Sequence, residues 1–253
     1  MSDDVVRQIA DAVLYEGHML FPYRLSALKN VQRWTFGGVY PAAYARTTGD
    51  RSRVGFECVV EGSAPRVEVE ARFLQIVEGE AVERVARVGL IDSEPLRGLL
   101  EARVHTGRLS VSLENTSGWA GRDRNEALRH TLVSAHVVAR VEDGAFVSPR
   151  ESPEPLRNDG LWPVLVGEAG DRTTLLASPI ILDDYPRIAP ESPGDFFDGG
   201  EIDQLLVLNI LGLSDQEKEE IRAGEPRARE ILERTEAMSR EELLRLHGAW
   251  RAP

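Results

Sequence analysis

The chain has 253 residues, of which 42% are hydrophobic and 28% charged, with a formal net charge of −12. This is an ordinary globular balance, long enough for one large domain or two small ones. The acidic surplus argues against a general nucleic-acid binder and against docking on an anionic membrane, since both need a basic surface. The single cysteine, Cys58, excludes an intrachain disulfide and a multi-cysteine metal site built from this chain alone.

The N-terminus reads MSDDVVRQIADAV. It is acidic at its start and lacks a long apolar stretch, so it does not read as a secretory signal. No run of apolar residues approaches transmembrane length, and the expected location is the cytoplasm. Val5, Val6, Ile9, Ala12 and Val13 recur at helical spacing behind Asp3 and Asp4, which predicts a helix from about residue 4 to about residue 19, stopped before Pro22. The stretch that follows, FPYRLSALKNVQRWTFGGVYP, has no clean period. It is locally basic and aromatic: Tyr15, Tyr23, Trp34 and Tyr40 accompany Arg24, Lys29 and Arg33.

From residue 53 the pattern changes. RVGFECVVEG and RVEVEARFLQIVEG alternate apolar and polar residues and read as strands. EAVERVARVGLID fits helix or strand. SEPLRGLLEAR predicts a short helix, with Ser93 as cap, Pro95 in the first turn, and Leu96, Leu99 and Leu100 on one face. RLSVSLEN is a strand, and Asn115 lies in the turn that ends it. A helical turn or two around Asn125–His130 precedes a strand that reverses at Asp143-Gly144 and returns as AFVSP. LWPVLVGEAGDRTTLLASPIIL repeats this plan, with its turn near Ala169–Asp171.

The C-terminal part is helical and clearly punctuated. One helix covers DGGEIDQLLVLNILGL. SDQEKEEIRAG carries Ser214 and Glu217 at capping-box spacing, Pro226 suits the first turn of PRAREILERTEAM, and Ser239 with Glu242 repeats the capping box. The expected fold is therefore α+β: a mainly antiparallel sheet or sandwich, an N-terminal helix, and a C-terminal run of three to four short helices. The expected division is a β-rich domain over 1–197 and a helical segment over 198–253 packed on it.

Candidate chemistry is sparse. None of the five histidines stands at metal-ligand spacing with another. His136 reads first as a hydrogen-bonded structural histidine, and second as an acid–base group or ligand. No nucleophile elbow or phosphate loop is present, and Cys58, inside an alternating strand with no basic neighbour, reads as inert. The strongest candidate is the segment SPIILDDYPRIAPESPGDFFDGGEID, with seven carboxylates and four prolines. Asp198, Glu201 and Asp203 are explained by the start of a helix, as N-cap, capping-box partner and first-turn charge. Asp183, Asp184 and Asp195 have no such local explanation. They could hold a divalent cation, act as paired catalytic carboxylates, or belong to a docking loop. The docking reading leads, because four prolines stiffen the loop and so lower the entropy lost on binding, while Tyr185, Ile188, Phe196 and Phe197 supply apolar anchors. Tyr23, Arg24, Lys29 and Trp34 form a second candidate surface, for which packing within the chain is the plainer reading. No catalytic residue and no cofactor are expected.

Two stretches, YEGHMLFPYRLSALKNVQRWTFGGVYP and ASPIILDDYPRIAPESPGDFFDGGEIDQLL, resemble uncharacterised bacterial proteins encoded beside nickel–iron hydrogenase genes. LENTSGWAGRDRNEALRHTLVSAHVVARVEDGAFVSP and NDGLWPVLVGE fit the same family, so the resemblance spans most of the chain. It implies a context, hydrogenase assembly or maturation, and transfers no catalytic residue. The expected activity is that of a non-catalytic accessory factor that binds a hydrogenase subunit or another maturation factor. The alternatives are a metal-dependent hydrolase using Asp183, Asp184, Asp195 and His136, and a structural subunit of a larger assembly. The oligomeric state is left open by the residues.

Overall fold

The structure is a computed structural model, and it describes residues 2–9, 14, 37–152, 154–187, 210–223 and 226–238. The chain forms two compact units, one of residues 1–10 and 35–189, the other of residues 11–34 and 190–253.

The first unit holds α1 (Ser2–Ile9), α2 (Ala42–Thr48), α3 (Arg124–Arg129) and eleven described strands. In chain order these are β1 (Arg53–Glu61), β2 (Arg66–Val77), β3 (Glu80–Arg87), β4 (Gly89–Ser93), β5 (Leu96–His105), β6 (Arg108–Asn115), β7 (Val133–Glu142), β8 (Ala145–Phe146), β9 (Asn158–Asp159), β10 (Trp162–Leu165) and β11 (Thr174–Ser178). They make two antiparallel sheets. One runs β4-β5-β6-β1-β8, with β9 also paired to β1; the other runs β10-β11-β7-β2-β3. The fold is α+β with antiparallel sheets dominant.

Period-two alternation builds the core between these sheets. Val54, Phe56, Cys58 and Val60 of β1 face inward, as do Leu109, Val111 and Leu113 of β6. They meet Val69, Ala71 and Phe73 of β2 and Ala135, Val137 and Ala139 of β7 in one buried cluster. The residues between them on β1 and β6, namely Arg53, Gly55, Glu57, Ser110 and Ser112, are left on the outer face, where the sequence is polar.

The β2–β7 register shifts between Arg72 and Leu74. Arg72 pairs with His136 and Leu74 with Val133, so β7 carries one more residue than β2 at this point. Ser134, in the extra position, takes a left-handed φ of 52°. This is a β-bulge, which sends successive side chains to new faces. The bulged strand is buried without a break from Val133 to Ala139.

The segment SEPLRGLLEAR is not a helix. It is the β4–β5 hairpin, with Glu94-Pro95 at the turn and Leu96 beginning β5. The leucines satisfy a helical face, yet burial follows period two: Leu96, Gly98 and Leu100 are buried and Arg97 and Leu99 are not. Ser93 does not cap; its hydroxyl donates to Gln75 Oε1 at 2.7 Å, while Gln75 Nε2 donates to the Ser93 carbonyl at 2.6 Å. Pairing with β4 and β6 on its two sides supplies β5 with a full ladder that a lone two-turn helix could not match. The ambiguous EAVERVARVGLID is two strands, β3 and β4, on either side of a bend at Val88. The helix α2, with Gly49 in the left-handed region as its stop (φ 81°), has no counterpart among the sequence expectations.

Of the expected N-terminal helix, Ser2–Ile9 is helical and most of the remainder lies outside the described residues. In the second unit α4 (Asp215–Ala223) and α5 (Pro226–Ala237) fall where the caps placed them. The Ser214 amide donates to Glu217 Oε2 at 2.9 Å and the Glu217 amide to Ser214 Oγ at 3.3 Å, a reciprocal capping box. The helix expected over DGGEIDQLLVLNILGL is described only at its end, and that over SREELLRLHG lies outside the described residues.

Candidate functional site

The acidic segment leaves β11 through Ser178, whose hydroxyl donates to the Ile180 carbonyl at 2.7 Å and tightens the exit. Pro179 packs against Gly37, where a Cβ would stand 2.5 Å from the proline ring. Ile181 then turns to solvent with 69% of its surface exposed.

Asp183 and Asp184 part company at this point. Asp183 points outward, its side chain 79% exposed, and pairs with the Arg150 guanidinium. Asp184 points inward. Its Oδ2 accepts from Ser148 Oγ at 2.5 Å and its Oδ1 from the Leu165 amide at 2.8 Å. Tyr185 follows with a left-handed φ of 56°, donates its amide to the Leu165 carbonyl at 2.7 Å, and packs its ring against the core cluster. Asp184 and Tyr185 therefore bracket Leu165 at the end of β10 from both sides of its peptide unit. They fasten the loop to the sandwich, while Ile181 and Asp183 face outward.

Chemically, Asp184 acts here as an acceptor for two protein donors and Asp183 as an exposed partner of arginine. The two carboxylates do not share a ligand point with a third group: among the described residues, no cluster of three or more His, Cys, Asp or Glu is placed to hold a metal ion. Asp195 and Phe196 lie outside the described residues, as do Tyr23, Arg24, Lys29 and Trp34. Tyr40, the described member of the N-terminal aromatic group, is buried and stacks on Tyr44 at 5.4 Å between ring centroids.

His136 sits in the bulge of β7, fully buried, with Nδ1 3.0 Å from the Ser134 carbonyl. Cys58 is also fully buried, its Sγ 3.4 Å from the Val147 carbonyl. Burial is the main reason its thiol is pushed up to about 12, and the negative charge of Asp184 adds to it. A thiol held protonated at neutral pH is a poor nucleophile.

Asn115, legible in sequence only as a turn residue, is a structural hub. Its Nδ2 donates to the Val39 carbonyl at 2.8 Å and the His130 carbonyl at 2.6 Å, and its Oδ1 accepts the Ser117 amide at 2.9 Å. The partners that fix the acidic loop, Arg150, Ser148 and Leu165, were likewise missed. They stand 19 to 36 residues away in sequence from the Asp184 carboxylate and Asp183, and no periodicity reports a contact of that kind.

Comparison with known proteins found no matching family model and no matching curated protein. Among the described residues no helix is long and apolar enough to cross a membrane.

Proposed function

We propose that this chain is a cytoplasmic, non-catalytic accessory factor of a nickel–iron hydrogenase, acting by binding a hydrogenase subunit or another maturation factor. The observation that carries the binding reading is the way the start of the acidic loop is held. Asp184 and Tyr185 pin it to β10, and Ile181 with Asp183 stands out beside that anchor. A loop fixed before it meets a partner loses less entropy on binding, and an exposed isoleucine beside a charge supplies an apolar contact with a polar rim. The hydrogenase context comes from the sequence resemblance. The buried, protonated Cys58 and the buried His136 favour binding over chemistry at those two residues.

The test is co-purification of the tagged full-length chain from hydrogenase-expressing cells, with recovered proteins identified by mass spectrometry. Hydrogenase subunits or maturation factors are the expected partners. The double variant Ile181→Ser/Asp183→Asn, which alters exposed side chains only, should reduce their recovery about tenfold without changing the melting temperature. Recovery of no such component by the wild type would sink the proposal; undiminished recovery by the variant would remove this loop from it.

A further inference from the structure

The sheet that runs β10-β11-β7-β2-β3 ends on β3, which pairs with β2 and with no other strand among the described residues. β3 follows β2 through a two-residue turn, Glu78-Gly79. The φ values there, 53° and 92°, are those of the tight hairpin turn that makes the flanking Val77 and Glu80 a hydrogen-bonded pair. Such pairs alternate along an antiparallel ladder. The backbone groups of Glu80, Val82, Arg84 and Ala86 therefore bond to β2, and those of Ala81, Glu83, Val85 and Arg87 point away from the sheet. Ala86 packs against the core cluster opposite Ala71, so the side chains of Glu83, Val85 and Arg87 lie on the outer face.

Natural sheets blunt exposed edges with lysine, proline or a bulge. β3 contains neither lysine nor proline, and its pairing with β2 runs from Glu80 to Arg87 without a register shift. Its core-facing charge, Arg84, is bound within the chain, Nε donating to Gln75 Oε1 at 2.9 Å. Val85 is 55% exposed, and Val88 and Leu90 just beyond the strand are exposed too. Arg87 is exposed, and its guanidinium has no partner among the described residues. Glu70, which lies opposite it on β2, is held instead by Arg72 at 2.7 Å and Arg140 at 3.4 Å.

We propose that β3 pairs antiparallel with β3 of a second copy of this chain, about a two-fold axis through Val85, so that two five-stranded sheets become one continuous sheet. A two-fold axis perpendicular to a sheet keeps every side chain on its own face, so it allows only registers in which some residue meets itself at the axis. Centres at Glu83, Arg84 or Arg87 set like charges opposite each other, which destabilises the pair. A centre at Ala86 sets Arg87 opposite Val85, and centres nearer the turn leave Val85 and Arg87 outside the overlap. The centre at Val85 sets Glu83 opposite Arg87 on both sides of the axis, with the two exposed valines opposite each other between them. All these residues belong to the outward-pointing set, so each of the pairs exchanges two backbone hydrogen bonds. On the core face Arg84 falls opposite Ala86, whose small side chain leaves room for it. Glu83 already lies 3.7 Å from Arg7 Nη2, and its two oxygens can accept a second guanidinium. Read antiparallel, β3 thus carries its own counter-charges, and this selects a second copy as the occupant of the edge. Dimer formation needs no hydrogenase component, so it holds or fails independently of the accessory role.

The test is the molar mass of the purified full-length chain by sedimentation equilibrium, from about 1 to about 200 µM. A monomer–dimer equilibrium is expected. Arg87→Glu, which sets carboxylates opposite each other, should raise the dimer dissociation constant at least about tenfold. The swap Glu83→Arg/Arg87→Glu restores opposite charges and should recover most of that loss. Val85→Lys puts two like charges at the axis and should leave monomer only. Each variant should keep the wild-type melting temperature at a concentration where the wild type is itself monomeric, which separates lost pairing from lost folding. A monomer at every concentration would overturn the proposal and leave the edge to a strand of another protein. A dimer that ignores both Arg87→Glu and Val85→Lys would place the interface elsewhere and overturn it equally. A charge swap no better than Arg87→Glu alone would overturn the register centred on Val85.

Discussion

At the scale of single residues, adjacent identical side chains take opposite roles. Asp183 and Asp184 are neighbours in a loop, yet one meets solvent and Arg150 while the other replaces water for a hydroxyl and a backbone amide. An exposed ion pair contributes little, because water and salt screen it and two long side chains must be held still. A carboxylate that satisfies partly buried donors is worth more, because its loss leaves them unpaired. Asp184→Ala should therefore destabilise the first unit by about 2–3 kcal/mol, and Asp183→Asn should change stability by less than about 0.5 kcal/mol. Urea denaturation of both variants checks this; equal effects would mean that Asp184 does not fasten the loop. The sequence showed both acids and their candidacy, but it could not separate them, since the separation is made by Arg150, Ser148 and Leu165.

At the scale of elements, the α4–α5 pair shows how local signals and a few charges define a hairpin. Its start is set by the Ser214–Glu217 capping box and the entry to α5 by Pro226. Between the helices, Glu236 accepts from Arg222 at 2.7 Å and lies 3.2 Å from Lys218 Nζ. The hydrogen bond from Arg222, and then that from Lys218, hold the Glu236 carboxyl below its ordinary value of 4.5. A depressed folded-state value stabilises the hairpin above the ordinary carboxylate range and ceases to do so as pH falls through it. Amide protection in α4 and α5 should therefore fall as the solution is acidified below about pH 4.5, where the unfolded carboxyl begins to take up its proton. Glu236→Gln should lower protection at neutral pH and reduce that dependence. Hydrogen exchange across this range reads both, and an unchanged acid profile in the variant would assign the effect to other carboxylates. The helices were legible because caps act within three residues. The β4–β5 hairpin was not, because Leu96, Leu99 and Leu100 suit a helical face and only pairing with β4 and β6 selects the strand.

At the scale of the whole molecule, Cys58 reports on the integrity of the sandwich, because it faces inward from β1 among residues of both sheets. Its thiol is pushed up to about 12 from a usual value of 9.0 by burial. It should stay unlabelled by iodoacetamide in the native state and react only through opening, at a rate that tracks global unfolding. The sign of the pH effect follows. A raised folded-state value means that the unfolded thiol ionises first, so its contribution is fully present below about pH 9 and declines by up to roughly 1.4 kcal/mol per pH unit between there and about pH 12. Cys58→Ala should flatten that alkaline decline, at the cost of a small cavity. Rapid labelling of the native protein at neutral pH would contradict the burial of this thiol.

Asp143-Gly144 does not close the expected hairpin, because β8 leaves β7 and pairs with β1 in the other sheet. The sequence by itself determined the strands with clean alternation, the turn near Gly170, the capped C-terminal helices, and the α+β class. Each of these depends on residues that meet within a few positions of one another. Tertiary structure decided the two-sheet order, the bulge at Ser134, the strand state of Leu96–His105, the division of labour between Asp183 and Asp184, and the open edge of β3. The physical reason is common to all five. Which face of a strand is buried, and which charge is left without a partner, are set by neighbours brought in from distant sequence, and those neighbours exist only once the chain has folded.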